Sequence, residues 1–209
     1  MKIIAHRGKD IKYGENSLRG IINSLNNSYT DGVEFDIRMT LDFKFVIHHD
    51  PFYKGKFIRL TTLKKLKKLG LDSLEDVLKE IKTKKIVLIE IKEESRSYRI
   101  LVCRLYKLLR KYNINYHIIS FNYDLMKYFK KKHPEIKNGL LIGVKKNIDK
   151  IDNNFDFNAV NYRHAAKSKN KETFVWTVND LEEFSQVQKN QNIITDEPLY
   201  FYNLINKKN

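Results

Sequence analysis

Short runs of apolar and β-branched residues alternate along this chain with stretches whose apolar positions recur every three or four residues. The runs occupy 2–5, 33–39, 43–48, 85–91, 117–121, 139–144, 159–162, 173–178 and 192–195. Several are apolar on both faces, which suits parallel strands covered by helices. Between them, Leu18, Ile21, Ile22 and Leu25 form one helical stripe, with Asn16 or Ser17 as its cap. A second helix over 72–81 carries Asp72 and Glu75 at capping-box spacing and buries Leu74, Val77, Leu78 and Ile81. Further stripes are Leu101, Leu105, Leu108 and Tyr112; Leu125, Met126 and Phe129; and Leu181 with Phe184. Pro198 opens a last helix through Leu204.

This alternation predicts the α/β class, and the number of runs suits a single (β/α)8 barrel better than an open sheet. Nine runs compete for eight barrel positions. Too few residues separate the second run from the third for a helical crossover. Either the second β/α unit is irregular or the 192–195 run is an end-cap; the irregular second unit is the reading taken.

Composition narrows the class. The 209 residues suffice for one domain with a full core, and no linker-like segment divides 1–209. No apolar run is long enough to span a bilayer. A strand starting at Lys2 leaves no room for a signal peptide. Cys103 is the only cysteine, which excludes an internal disulfide and agrees with a cytoplasmic location. The net charge of +15 attracts anions, but compositional bias toward Lys explains it at least as well as a dedicated polyanion site. No interleaved aromatics suggest a nucleic-acid partner. In the segment 63–69, Leu63, Leu66 and Leu69 share one side, surrounded by Lys64, Lys65, Lys67 and Lys68. The first reading is a solvated helix with its stripe on the domain; the second is weak contact with an anionic membrane surface.

The candidate chemistry lies at strand ends. In V-E-F-D-I, Glu34 and Asp36 share one face of a strand while Val33, Phe35 and Ile37 share the other. Two buried carboxylates side by side call for a cation between them. Glu90 and Lys92 share a face of the 85–91 run and its end in the same way. His6, Arg7 and His49 end their own runs. In a barrel, strand carboxyl ends converge on one mouth, so three carboxylates, two histidines, an Arg and a Lys are expected to meet there. Each has a plainer reading: a surface histidine, an edge-strand acid, a simple Glu90–Lys92 ion pair. His48 and His49 point to opposite faces, so at most one reaches the mouth. Hard oxygen ligands select one divalent cation, Mg²⁺ or Ca²⁺ with Mn²⁺ a third choice, rather than zinc. Arg7 and Lys92 suit a phosphate, and two imidazoles can supply a base and an acid.

These residues, in order, resemble the glycerophosphodiester phosphodiesterase family over nearly the whole chain. The resemblance rests on H-R-G at 6–8, E-N-S at 15–17, G-V-E-F-D at 32–36, T-L-D at 40–42, H-D-P at 49–51 and I-E-I-K at 89–92. I-S-F-N at 119–122, V-W-T-V-N-D at 175–180 and I-I-T-D-E-P at 193–198 extend it. It implies a TIM-type barrel and metal-dependent hydrolysis of glycerophosphodiesters to glycerol 3-phosphate and an alcohol. It further implies His6 as base and His49 as acid, Glu34, Asp36 and Glu90 as metal ligands, and Arg7 and Lys92 as phosphate contacts. Trp176 is expected to line the mouth or simply to pack the barrel, and Glu15 to touch the site or start a helix. Where the family commonly carries a longer insertion after H-D-P, this chain has only a short Lys-rich one around 52–70. A smaller cover leaves room for an alternative, a lysophospholipase D-like or sphingomyelinase D-like enzyme acting on lipids. A nuclease and a non-catalytic barrel are the remaining rivals.

Overall fold

A computed structural model describes residues 1–92, 98–151, 155–168 and 172–206. Its elements in chain order begin with β1 (Ile3–Ala5), a 3₁₀ turn (His6–Gly8), α1 (Leu18–Asn26), β2 (Gly32–Met39) and β3 (Phe45–Ile47). A small hairpin of β4 (Phe52–Tyr53) and β5 (Lys56–Phe57) follows, then a 3₁₀ turn (Ile58–Leu60), α2 (Leu63–Leu69) and α3 (Leu74–Glu80). The chain continues through β6 (Ile86–Ile91), α4 (Tyr98–Leu109), β7 (Tyr116–Ser120), α5 (Tyr123–Lys132) and β8 (Asn138–Ile142). It ends with β9 (Phe157–Asn161), a 3₁₀ turn (Tyr162–Lys167), β10 (Glu172–Trp176), α6 (Leu181–Ser185), β11 (Asn192–Thr195) and α7 (Pro198–Asn206). No helix among the described residues is long and apolar enough to cross a membrane.

Eight strands pair in parallel in the order β1-β11-β10-β9-β8-β7-β6-β2, and β2 returns to β1 to close the barrel. The ninth run is β3, which pairs antiparallel with the end of β2, Ile37 opposite Ile47 and Met39 opposite Phe45. The second β/α unit is therefore the irregular one. Asn192–Thr195 is a full barrel strand, parallel to both β1 and β10. The end-cap alternative fails because the run has a barrel neighbour on each edge, Ile193–Thr195 against β1 and Asn192–Ile193 against β10.

Period-two alternation divides the core into two layers. Inward positions Ile4, Leu88, Ile119, Leu141, Phe157, Ala159, Phe174 and Ile194 fill the barrel. Outward positions Val33, Phe35, Ile37, Val87, Ile89 and Ile91 pack under the helices. At Gly139 a Cβ would stand 2.4 Å from the Phe157 ring, so only glycine lets that ring lie across the barrel floor. Helix starts follow local chemistry. Ser17 caps α1 by accepting from the Gly20 N–H, and Ser73 caps α3 by accepting from Asp76. The expected Asp72–Glu75 capping box does not form: Asp72 instead accepts from the Leu18 N–H at 2.7 Å, tying α3's entrance to α1. Helix α2 rests on the domain, with Leu66 fully buried against Val46, Ile58 and Leu71.

His117 lies in the barrel interior, edge-on to Phe157 and Phe174, with no hydrogen bond to Nδ1. Burial first, then nearby Lys137, lowers its pKa to about 4. An unfolded histidine titrates near 6.5, so the folded protein excludes a proton that the unfolded chain accepts. This stability term is intact above pH ~6.5 and disappears as pH falls toward ~4, about 3 kcal/mol in all. His117→Leu should remove it. Urea midpoints of both proteins at neutral and acidic pH should show the variant gaining on the wild type with acidification; a constant gap would contradict the assignment.

Candidate active site

Along β2 the inward positions above Gly32 are Glu34, Asp36 and Arg38, and along β6 the inward series ends in Glu90 and Lys92. Because β2 and β6 run parallel with Asp36 opposite Glu90, the carboxylates must meet. One oxygen from each of Glu34, Asp36 and Glu90 lies within 4.8 Å of the others, and all three residues are buried. Lys92 Nζ stands 2.7 Å from Glu90 and 3.2 Å from Asp36. Arg7 approaches from the turn after β1. Its backbone N–H donates to Glu34 at 2.9 Å, and its guanidinium bonds Glu15 at 2.9 Å while Nε lies 3.4 Å from Asp36. Arg7 sits at φ 54°, a left-handed conformation that turns its N–H toward Glu34.

The electrostatics reflect this crowding. Burial, then the Asp36 and Glu90 charges, push Glu34 well above the ordinary carboxylate range. Burial and Asp36 likewise raise Glu90 to about 7, against the pull of Lys92. For Asp36, burial also pushes upward, but Lys92, Asn16 and Arg7 together outweigh it and hold the group below its usual value. Lys92 is raised: burial would lower it, and Glu90 and Asp36 more than compensate.

The histidines flank the cluster. His6 Nδ1 meets Asp196 at 2.9 Å, and Asp196 is steadied by Asn179 at 3.0 Å and Lys9 at 3.5 Å. His49 Nδ1 meets Asp50 at 2.7 Å. His48 turns away, bonding the Phe52 carbonyl and meeting Tyr53 edge-on. A cavity of about 230 Å³ is lined by His6, Arg7, Glu34, His49, Glu90, Lys92 and Trp176, among others. Asp36 lies beside it under Lys92, and Glu15 stands outside on Arg7. Trp176 faces the cavity and also packs, donating to the Ala159 carbonyl and meeting Phe121 edge-on. All nine residues singled out from the sequence are thus drawn to one end of the barrel. Glu15 does not cap a helix; Ser17 does.

Three neighbours were not legible in those roles. Asn16 grips Asp36 twice, donating from Nδ2 to Oδ2 at 2.8 Å and accepting from the Asp36 N–H at 3.0 Å. Its sequence position suggests only a helix cap. Arg38 donates to the carbonyls of His49 and Lys92 at 2.8 and 3.1 Å, joining the two loops that carry these residues. Its parity with Glu34 and Asp36 was the available signal. Asp196 shares the inward parity of Ile194 and ends its strand as His6 ends β1. Replacing Asn16 with Ala strands the Asp36 N–H, which should cost about 1–3 kcal/mol of stability and weaken any cation bound to Asp36. Thermal melts with and without added Mg²⁺ check both parts; an unchanged melting temperature would contradict the clamp.

The donor set fits a hard divalent cation. Three carboxylates face two cationic side chains, so with all three ionised the site carries an excess negative charge that would repel a phosphodiester anion. One divalent ion would reverse that sign and offset the burial and like-charge crowding that drive Glu34 and Glu90 upward. Glu90 Oε1 is buried with the Lys92 ammonium 2.7 Å away, so it already serves as a ligand oxygen to one cation.

Comparison with known proteins bears on what such a site does. The model of the glycerophosphoryl diester phosphodiesterase family matches residues 6–199. A glycerophosphodiester phosphodiesterase of Caldanaerobacter subterraneus subsp. tengcongensis is 28% identical, the match covering 98% of this chain and 98% of that protein. The crystal structure of a glycerophosphodiester phosphodiesterase from Thermotoga maritima superposes with a TM-score of 0.82 at 27% identity, over 98% of both chains. A phosphodiesterase of Oleispira antarctica, solved in complex with the product sn-glycerol-3-phosphate, superposes with a TM-score of 0.80 at 18% identity, over 99% of this chain and 97% of that one.

Proposed function

The chain belongs to the glycerophosphoryl diester phosphodiesterase family, and from that premise we propose that it hydrolyses glycerophosphodiesters to glycerol 3-phosphate and an alcohol, using a divalent cation and the His6–His49 pair. It is a phosphoric diester hydrolase. The observation that carries the finer reading is the convergence of three buried carboxylates with two carboxylate-anchored histidines around one cavity.

Glu34, Asp36 and Glu90 are the residues that would hold the cation, Mg²⁺, Ca²⁺ or Mn²⁺ by their oxygen donors. When bound, such an ion supplies Lewis-acid charge at a phosphoryl oxygen. Lys92 and Arg7 keep further positive charge at the same cavity, where it offsets the charge that grows on the phosphoryl oxygens. His6 is the base. Donation from Nδ1 to Asp196 leaves Nε2 unprotonated and able to take the nucleophile's proton. His49 is the acid, its Nδ1 held by Asp50, giving its proton to the departing alkoxide. The product bound to the Oleispira antarctica enzyme is the one expected here, and it supports a small glycerophosphodiester substrate. Phe52 and Phe57, exposed just after His49, keep a lysophospholipid or sphingolipid substrate as the second reading.

The test is release of glycerol 3-phosphate from soluble glycerophosphodiesters, run beside micellar lysophospholipid and sphingomyelin, with and without chelator. Turnover of the soluble panel that chelator abolishes is expected. Turnover of the micellar substrates alone would replace this reading with the lipid one, and turnover that survives chelator would remove the cation.

A further inference from the structure

Five large apolar side chains stand exposed in one stretch of sequence next to the mouth: Leu41, Phe43, Phe52, Phe57 and Leu60, each between 41 and 60% exposed. Three of them are the only exposed phenylalanines among the described residues. Scattered apolar residues are normal on a surface, but a cluster on neighbouring loops is not. The loops are held together: the Leu41 N–H donates to the Thr61 carbonyl at 3.1 Å, and the Leu63 N–H to Asp42 at 2.9 Å. On the β4–β5 hairpin the Phe52 and Phe57 rings lie 3.7 Å apart, presenting one joint apolar surface to solvent. The hairpin is fixed against the site, since His48 bonds the Phe52 carbonyl and His49 is the next residue.

The charges around these residues are predominantly positive. Between 41 and 70 the chain carries eight Lys or Arg residues and two Asp. Both aspartates are already engaged, Asp42 by Thr40 and Leu63, and Asp50 by His49. Lys56 and Arg59 are exposed and have no ion pair among the described residues. Behind Phe43, a groove of about 310 Å³ is lined by Lys44, Arg104, Lys107 and Lys111, with Glu75 as its one acidic residue. Exposed aromatic and leucine side chains ringed by unpaired cations complement a surface that is apolar beneath and anionic above. A soluble metabolite would need the cations but not the phenylalanines. A protein partner would need an acidic face that nothing in this fold specifies.

We propose that the β2–β3 turn, the β4–β5 hairpin and the Ile58–Leu60 turn form a docking surface for an anionic phospholipid bilayer, placing the mouth of the barrel at the membrane. The contact is made by Phe52, Phe57 and Leu60 entering the headgroup region while Lys56, Arg59 and Lys44 face lipid phosphates. Helix α2 contributes Lys64, Lys65 and Lys68, Lys67 being paired with Asp76, but not its apolar stripe, because Leu66 is spent on the core.

The experiment is co-sedimentation of the full chain with vesicles of phosphatidylcholine alone and of phosphatidylcholine with phosphatidylglycerol, over a salt series. The wild type should pellet with the anionic vesicles, release with salt, and bind neutral vesicles far less. Phe52→Ser/Phe57→Ser and Lys56→Glu/Arg59→Glu should each lower partitioning by roughly tenfold or more. Both doubles should keep wild-type turnover of soluble substrate and wild-type melting, so a binding loss is not a folding loss. Because vesicle binding is read without catalysis, its outcome is independent of the proposed reaction. A wild type that stays in the supernatant with anionic vesicles overturns the proposal. So does unchanged binding in either double variant, or retention by DNA of a protein that ignores vesicles.

Discussion

Alanine at His6 or at His49 is expected to lower the rate of glycerol 3-phosphate release by ~10³-fold, in kcat more than in KM. Neither imidazole holds a structural element together: each ends a strand at the cavity, half-buried, and bonds one carboxylate through Nδ1. The fold should therefore survive both substitutions, and the loss should be chemical. The two variants should also differ in a way that assigns their roles. With a nitrophenyl ester of glycerol phosphate, the leaving group departs without a proton, so His49→Ala should recover most of its lost rate while His6→Ala should not. Equal losses on both substrates would contradict the division into base and acid. Full activity in either variant would remove the histidine pair from the mechanism.

Glu34→Gln should be as damaging to turnover, ~10³-fold or more, through loss of the cation and of the charge balance it provides. Its effect on stability should run the other way when chelator is present. Glu34 is buried against two other carboxylates, and its own compensating contact is the Arg7 N–H, which a glutamine oxygen can still accept. Removing one of three crowded charges relieves repulsion that the wild type endures for function. In chelator the variant should therefore melt at or above the wild type. Added Mg²⁺ or Ca²⁺ should then raise the wild-type melting temperature, by about 2.7 kcal/mol in stability once the ion exceeds its dissociation constant a hundredfold. The variant should show little of that gain. Melting curves in chelator and in each ion check this; equal cation-induced shifts in both proteins would contradict it.

Much of the architecture was legible because barrel strands announce themselves locally. β2 and β6 read as strands from their alternation, and the same alternation placed Glu34, Asp36 and Glu90 on the inner face. The ambiguity over nine runs lay where local pattern ends. β3 is as apolar as any barrel strand, and only its antiparallel pairing to the tip of β2 excludes it from the barrel. The capping of α3 misled for a related reason: Asp72 and Ser73 both suit a cap, and the Leu18 N–H, 54 positions away in sequence, claims Asp72. The roles of Asn16, Arg38 and Asp196 are not written locally, because their partners are 20, 11 and 190 residues distant and no spacing encodes such contacts. The residues found were those whose chemistry is conspicuous alone. Those missed hold the others in place.

The most direct measurement is the binding of Mn²⁺ to the purified chain, followed by the loss of the free-ion electron paramagnetic resonance signal. One Mn²⁺ per chain is expected, displaced by Mg²⁺ or Ca²⁺, and absent in Glu34→Gln, Asp36→Asn and Glu90→Gln. Failure of the wild type to bind Mn²⁺, or undiminished binding in all three variants, would contradict the account.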